Sequence, residues 1–218
     1  YAGTGAGPAF VELVFVEVSS DGTNFARFDV VSGTLEPVGA LGIIDPKDVS
    51  GFAGIRPVWA NVDTNTIDPF DPDAAGGDGF DLADLADHPL VTADVVNLNR
   101  IRFIRLVDVP GDGSLFDQLG QPIYDSFGPT NGGADVDSVA IRHGFTFADM
   151  NDDGQTDNLD VALFVLAVQT GDAGDYDGMA PNTVFFAADT NLDGVVTADD
   201  VPSFIDALAM AGGSAPLP

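Results

Sequence analysis

The chain has 218 residues and no cysteine, and 35 acidic against 7 basic side chains give it a formal net charge of −28. No basic stripe exists to meet a nucleic-acid backbone, the charge opposes an anionic membrane surface, and no apolar run is long enough to span a bilayer. Thirty-two of the acids are Asp and three are Glu (Glu12, Glu17, Glu36), an excess that favours turns, Asx caps and cation loops, where a short carboxylate reaches a nearby N–H or ion. Halophilic adaptation, the rival explanation of such acidity, predicts Glu as well as Asp and an apolar fraction below the 45% present.

The length suits two modest domains: residues 1–143 read as all-β, residues 144–212 as a small helical module, and 213–218 as a tail. Residues 9–18 are apolar at nearly every position and predict a buried strand. Asp21-Gly22 is a hairpin signal, and residues 25–31 alternate as a return strand. Trp59, Tyr124 and Tyr176 are the few aromatics that could stack on a sugar, and Trp59, flanked by Val58 and Ala60, reads as a core residue before a platform. Residues 63–87 form a long acidic loop, in which Asp71, Asp73, Asp78 and Asp81 are candidate ligands of a third calcium ion; a solvated acidic loop is the other reading. His88 precedes Pro89, as suits a turn. Residues 95–109 read as a long strand or strand pair. Arg100, Arg102 and Arg105 in it form either a site for an anion or sugar carboxylate, or a solvated face pairing with Asp residues. Residues 136–142 read as the final strand of the domain.

Residues 15–28, Phe-Val-Glu-Val-Ser-Ser-Asp-Gly-Thr-Asn-Phe-Ala-Arg-Phe, resemble the strand–turn–strand of discoidin-like, galactose-binding-like jelly rolls. With 77–85, 101–109, 121–125 and 133–139 they look like a family of bacterial cell-surface proteins that often end in a PEP-CTERM-type sorting segment. The resemblance implies a jelly-roll β-sandwich. Proteins of this kind usually carry one or two strands ahead of the Phe-Val-Glu-Val strand, whereas residues 1–8 here (Tyr-Ala-Gly-Thr-Gly-Ala-Gly-Pro) cannot form a core strand. The sandwich is therefore expected to be incomplete. Either a second protomer fills its open edge by strand addition, or the sequence, which begins at Tyr1, is a processed or partial chain.

Two copies of one loop pattern follow, beginning forty residues apart at 149 and 189. Calcium takes six to eight oxygens at about 2.3–2.6 Å, and a twelve-residue loop supplies them from positions 1, 3, 5, 7, 9 and 12. In 149–160 these are Asp149, Asn151, Asp153, the Gln155 carbonyl, Asp157 and Asp160; in 189–200 they are Asp189, Asn191, Asp193, the Val195 carbonyl, Thr197 and Asp200. Position 6, where the backbone turns sharply, is Gly154 or Gly194. Thr197 is shorter than Asp157 and would bind through water. Position 12 is Asp rather than the bidentate Glu, so it must approach the ion more closely or be supplemented. The apolar runs 161–168 and 201–210 read as exiting helices, with Pro202 tolerated in a first turn.

This duplicated loop-and-helix unit, over roughly 144–212, resembles a type I dockerin, which implies two calcium ions on the residues just named. The resemblance fails at loop positions 10 and 11, where cohesin-binding dockerins place a Ser/Thr pair and this chain has Asn158-Leu159 and Ala198-Asp199. Cohesin recognition is not expected.

No catalytic residue is expected. His88 and His143 lack a nucleophile elbow or zinc spacing, and among so many Asp no carboxylate pair marks a glycosidase. The sequence-level expectation is a secreted, calcium-stabilised bacterial surface protein that self-assembles as a homo-oligomer or filament. A carbohydrate-binding module for a surface glycan, carrying a docking domain, is the alternative.

Overall fold

A computed structural model describes residues 8–61, 63–71, 73–126, 133–181 and 183–212. The expectations for residues 1–7 and for the tail 213–218 lie outside these. The chain divides into two compact units, Tyr1–Ala140 and Ile141–Pro218. Among the described residues no helix is long and apolar enough to cross a membrane.

The first unit corrects the expected fold class. Among the described residues there is no closed sandwich, and with 16% strand and 24% helix the fold is not clearly mainly β. The strands fall into one sheet of three, in the order β2 (Ala26–Arg27), β1 (Val14–Ser19), β5 (Phe103–Asp108). Two further pairs join β3 (Val31–Ser32) to β4 (Val49–Ser50) and β6 (Asp112–Phe116) to β7 (Pro122–Tyr124).

The physical reason is the Asp excess. Carboxylates take backbone N–H groups that a larger sheet would have paired. Asp117 accepts from Ser32 (3.0 Å), Leu119 and Gln121 (both 2.8 Å). Asp125 accepts from Leu13 (2.8 Å) and Ser126 (2.7 Å). Asp78 accepts from Ile55 (2.9 Å) and Arg56 (3.2 Å).

β1 is buried along its whole length, and its alternation feeds two cores. Leu13 and Phe15 join Val30, Ile44, Phe52 and Ile123, while Val16 and Val18 join Phe28, Leu85 and Val96. The turn after β1 is held by Asp21, which accepts from the Thr23 and Asn24 N–H groups at 2.7 Å each. The expected return strand breaks after Arg27, and its continuation pairs with β4 instead.

The expected strand over 95–109 starts late. Asn97 caps a 3-10 turn at Leu98–Arg100 by accepting from Asn99, and only then does β5 begin. Helix α1 (Pro89–Thr92) is capped by His88 Nδ1, which accepts from Leu90. Trp59 is 55% exposed, not core, and residues 136–142 form no strand and are exposed.

The second unit holds α2 (Asp160–Thr170), α3 (Ala173–Met179) and α4 (Val201–Gly212). Its core gathers Met150, Phe164, Ala167, Tyr176, Phe185, Val196 and Phe204. Phe164 and Phe204 occupy equivalent positions of the two repeats, and their rings stack nearly parallel, 3.8 Å between centroids at 7°. The stacked rings thereby join the two repeats through equivalent residues. Two grooves of about 670 Å3 each flank the loops. One lies between loop residues 194–198 and the end of α2 at 168–171, the other between loop residues 154–158 and the end of α4 at Leu208 and Ala211.

Candidate metal loops

In each loop the two end carboxylates are buried, and the carboxylates between them are exposed or half-buried. Asp149 and Asp160 are 1% and 0% exposed, and Asp189 and Asp200 are both 0% exposed. Burial of the ends follows from their neighbours. Asp149 follows the core residue Ala148 and Asp160 opens α2; Asp189 follows Ala188, and Asp200 directly precedes α4.

The position-12 carboxylates close the loops end to end. Asp160 Oδ1 accepts from the N–H groups of Met150 (2.7 Å) and Asn151 (3.2 Å), and its Oδ2 accepts from Asp157 (2.8 Å). Asp200 repeats the arrangement with Asn191 (3.1 Å) and Thr197 (2.8 Å), and Thr197 forms a capping box with it. The position-1 carboxylates hold the glycine turn. Asp149 accepts from Asp153 (3.2 Å) and Gly154 (2.9 Å), and Asp189 from Gly194 (3.2 Å). At positions 3 and 5, Asn151 Nδ2 donates to Asp153 at 3.0 Å and Asn191 Nδ2 donates to Asp193 at 3.1 Å.

The backbone agrees position by position. Asp152 and Leu192 at position 4 have φ of 56° and 64°, and Gly154 and Gly194 at position 6 have φ of 85° and 104°. A non-glycine residue in the left-handed region is uncommon, so its recurrence at the same register marks one loop built twice.

Among the described residues no three His, Cys, Asp or Glu groups converge as a ready-made metal cage. The donor set nonetheless fits a hard cation. It is all oxygen, from carboxylate, amide, hydroxyl and main-chain carbonyl. A carboxylate oxygen that accepts one N–H keeps a further lone pair for an ion; at Asp160 that oxygen is Oδ2, since Oδ1 accepts two. Residues 144–218 contain thirteen Asp and no Lys, Arg or His.

The candidate third site is not assembled. Asp71 accepts from the Asp73 and Ala74 N–H groups, Asp81 caps the 3-10 turn Leu82–Leu85, and Asp78 pairs with Arg56 at 3.7 Å. Burial raises the Asp78 carboxyl above its ordinary value against the N–H bonds and the Arg56 charge, which lower it. Asp71, Asp73 and Asp81 are exposed and serve local turns.

The three arginines do not form one face either. Arg100 ends the 3-10 turn, Arg102 precedes β5 and lies 5.6 Å from the Phe103 ring centre, and Arg105 sits within β5. Arg105 pairs with Glu17, which also takes Arg27 at 2.7 Å, and all three are register partners across the sheet. Arg105 also lies 3.7 Å over the Phe25 ring. Its acid partner is thus a buried Glu, not an Asp.

Tyr176 is fully buried, its hydroxyl accepting from Thr183 at 3.0 Å, so it offers no stacking platform. It sits on α3, within the Gly/Asp-rich stretch between the repeats. The signal for that helix was present: Asp172 caps it by accepting from Asp175. Comparison with protein-family models, with curated proteins and with solved structures returns no match for this chain.

Proposed function

We propose that this chain is a calcium-stabilised structural protein of the bacterial cell exterior that associates with copies of itself. The observation that carries the reading is the set of four buried loop carboxylates in a stretch without a single Lys, Arg or His. Burying an uncompensated carboxylate is costly, and four at matched positions of a duplicated loop imply a shared source of positive charge. A bound divalent cation supplies that charge.

The chain's own residues do the rest. Asp149 and Asp189 fix the glycine turns, Asp160 and Asp200 tie each loop shut, and the stacked Phe164 and Phe204 couple the repeats. Calcium outside the cell is plentiful enough to saturate weak loops, and a cysteine-free chain there has no disulfides to stabilise it. The acidic surface leaves self-association to the few places where cations gather, around β1 and β5.

The test is a thermal melt in calcium and in excess chelator, with sedimentation under both conditions. Chelation is expected to lower the melting temperature of the second unit before the first. An unchanged melt would remove the metal assignment, and a strict monomer in both conditions would remove the association.

A further inference from the structure

β5 has a single neighbour, β1, and among the described residues its outer edge takes no strand. An open six-residue edge is a template for another strand. The same chain carries a segment of matching length that, among the described residues, pairs with no strand either. Residues 135–140, Asp-Val-Asp-Ser-Val-Ala, are exposed throughout, with Val136 and Val139 each 57% exposed.

We propose that residues 135–140 of a second copy of this chain add to the outer edge of β5 in parallel, with Asp137 beside Arg105. This register also sets Val136 beside Ile104 and Val139 beside Val107, and Ile104 is 43% exposed for its size. It brings acid to the sheet where Arg27 and Arg105 lie, in a chain otherwise dominated by carboxylates.

The chain cannot make this pairing with itself. Its own segment is rooted at the far end of β5, where the Ala134 N–H donates to Asp108 at 3.2 Å. Pairing back along its own edge from that root would run antiparallel and would bring Asp135 near Asp108. Those two carboxylates already crowd Glu12, whose carboxyl burial and both charges push up. Like charges directly opposite are unfavourable. Donor segment and acceptor edge are different surfaces, so the contact is heterologous and repeats from copy to copy, into a ring or an open filament, rather than stopping at a two-fold dimer.

The inference rests on the self-association proposed above and names its contact. The absence of cysteine makes it directly testable. Ile104→Cys chains are mixed with Val136→Cys chains in calcium under mild oxidation. A disulfide-linked heterodimer is expected, and the double variant I104C/V136C should give a ladder of multimers. Asp137→Lys should weaken sedimentation of the otherwise native chain at least several-fold. A double variant that closes only within its own chain, or a mixture that fails to cross-link while the native chain still associates, would overturn the edge assignment and leave association standing. A native chain that never associates would sink both.

Discussion

Asp125 shows what a carboxylate can cost when it is used as an internal tie. It is 2% exposed, and it fastens Leu13 at the head of β1 to the end of β7, next to Ser126, whose hydroxyl donates to the Gly42 carbonyl at 2.8 Å. Burial raises its pKa to about 7, against two N–H bonds that lower it and with Asp108 and Glu12 adding to the rise. A group that binds its proton more tightly when folded favours the folded state at low pH. That advantage declines as pH rises from the ordinary carboxylate range through about 7. The first unit is therefore expected to melt at a higher temperature at pH 5 than at pH 8, with a contribution on the order of a few kcal/mol from this residue. Asp125→Asn should flatten the dependence, and melts of both proteins across that range check it. Asp117 behaves oppositely: burial works to raise its carboxyl, but the backbone N–H groups around it prevail and hold it below its ordinary value. None of this was legible in the sequence, because one Asp among thirty-two looks like any other until the fold decides which N–H groups it meets.

At the scale of elements, the loops were legible and the sheet was not. The loops are local: twelve residues carry their own turn glycine, their own acceptors and the start of the next helix, so spacing alone fixes them. The strand reading of 25–31 and 95–109 used alternation. Alternation could not reveal that Asn97 would cap a 3-10 turn or that Asp117 would draw Ser32 towards another pair. Arg105 had two readings, an anion site or a solvated face pairing with Asp; its partner is instead the buried Glu17 across the strand. Two glycines separate loop from helix. Nothing lies within 4 Å of a Cβ added at Gly154 or at Gly178, but Gly154 has φ +85° whereas Gly178 lies within α3. Gly154→Ala is expected to destabilise the second unit by about 1–2 kcal/mol through backbone strain alone. Gly178→Ala should stabilise it by about 0.5–1 kcal/mol, because an unstrained glycine is replaced in a helix. Denaturant melts of the two variants should move in opposite directions; a shared direction would remove the account.

For the molecule as a whole, the two units meet the same shortage of cations differently. The first places Arg27, Lys47, Arg56 and Arg105 against acids. The second draws on thirteen Asp with nothing basic beyond Arg142 and His143, which are exposed at its start. The division of labour was readable from charge bookkeeping along the chain. The replacement of a sandwich by small separate sheets was not, since it depends on which distant backbone each carboxylate captures.

The stacked Phe164 and Phe204 give the second unit one further property. Each ring finds in the other the partner that an isolated repeat would lack, and each loop's groove is completed by the opposite repeat's helix. The module thus has the geometry of a dimer joined into one chain by the α3 connection. Two peptides covering 144–171 and 172–212, unfolded apart, are expected to recombine when mixed in calcium. Circular dichroism of the mixture should then exceed the helical signal summed from the separate peptides.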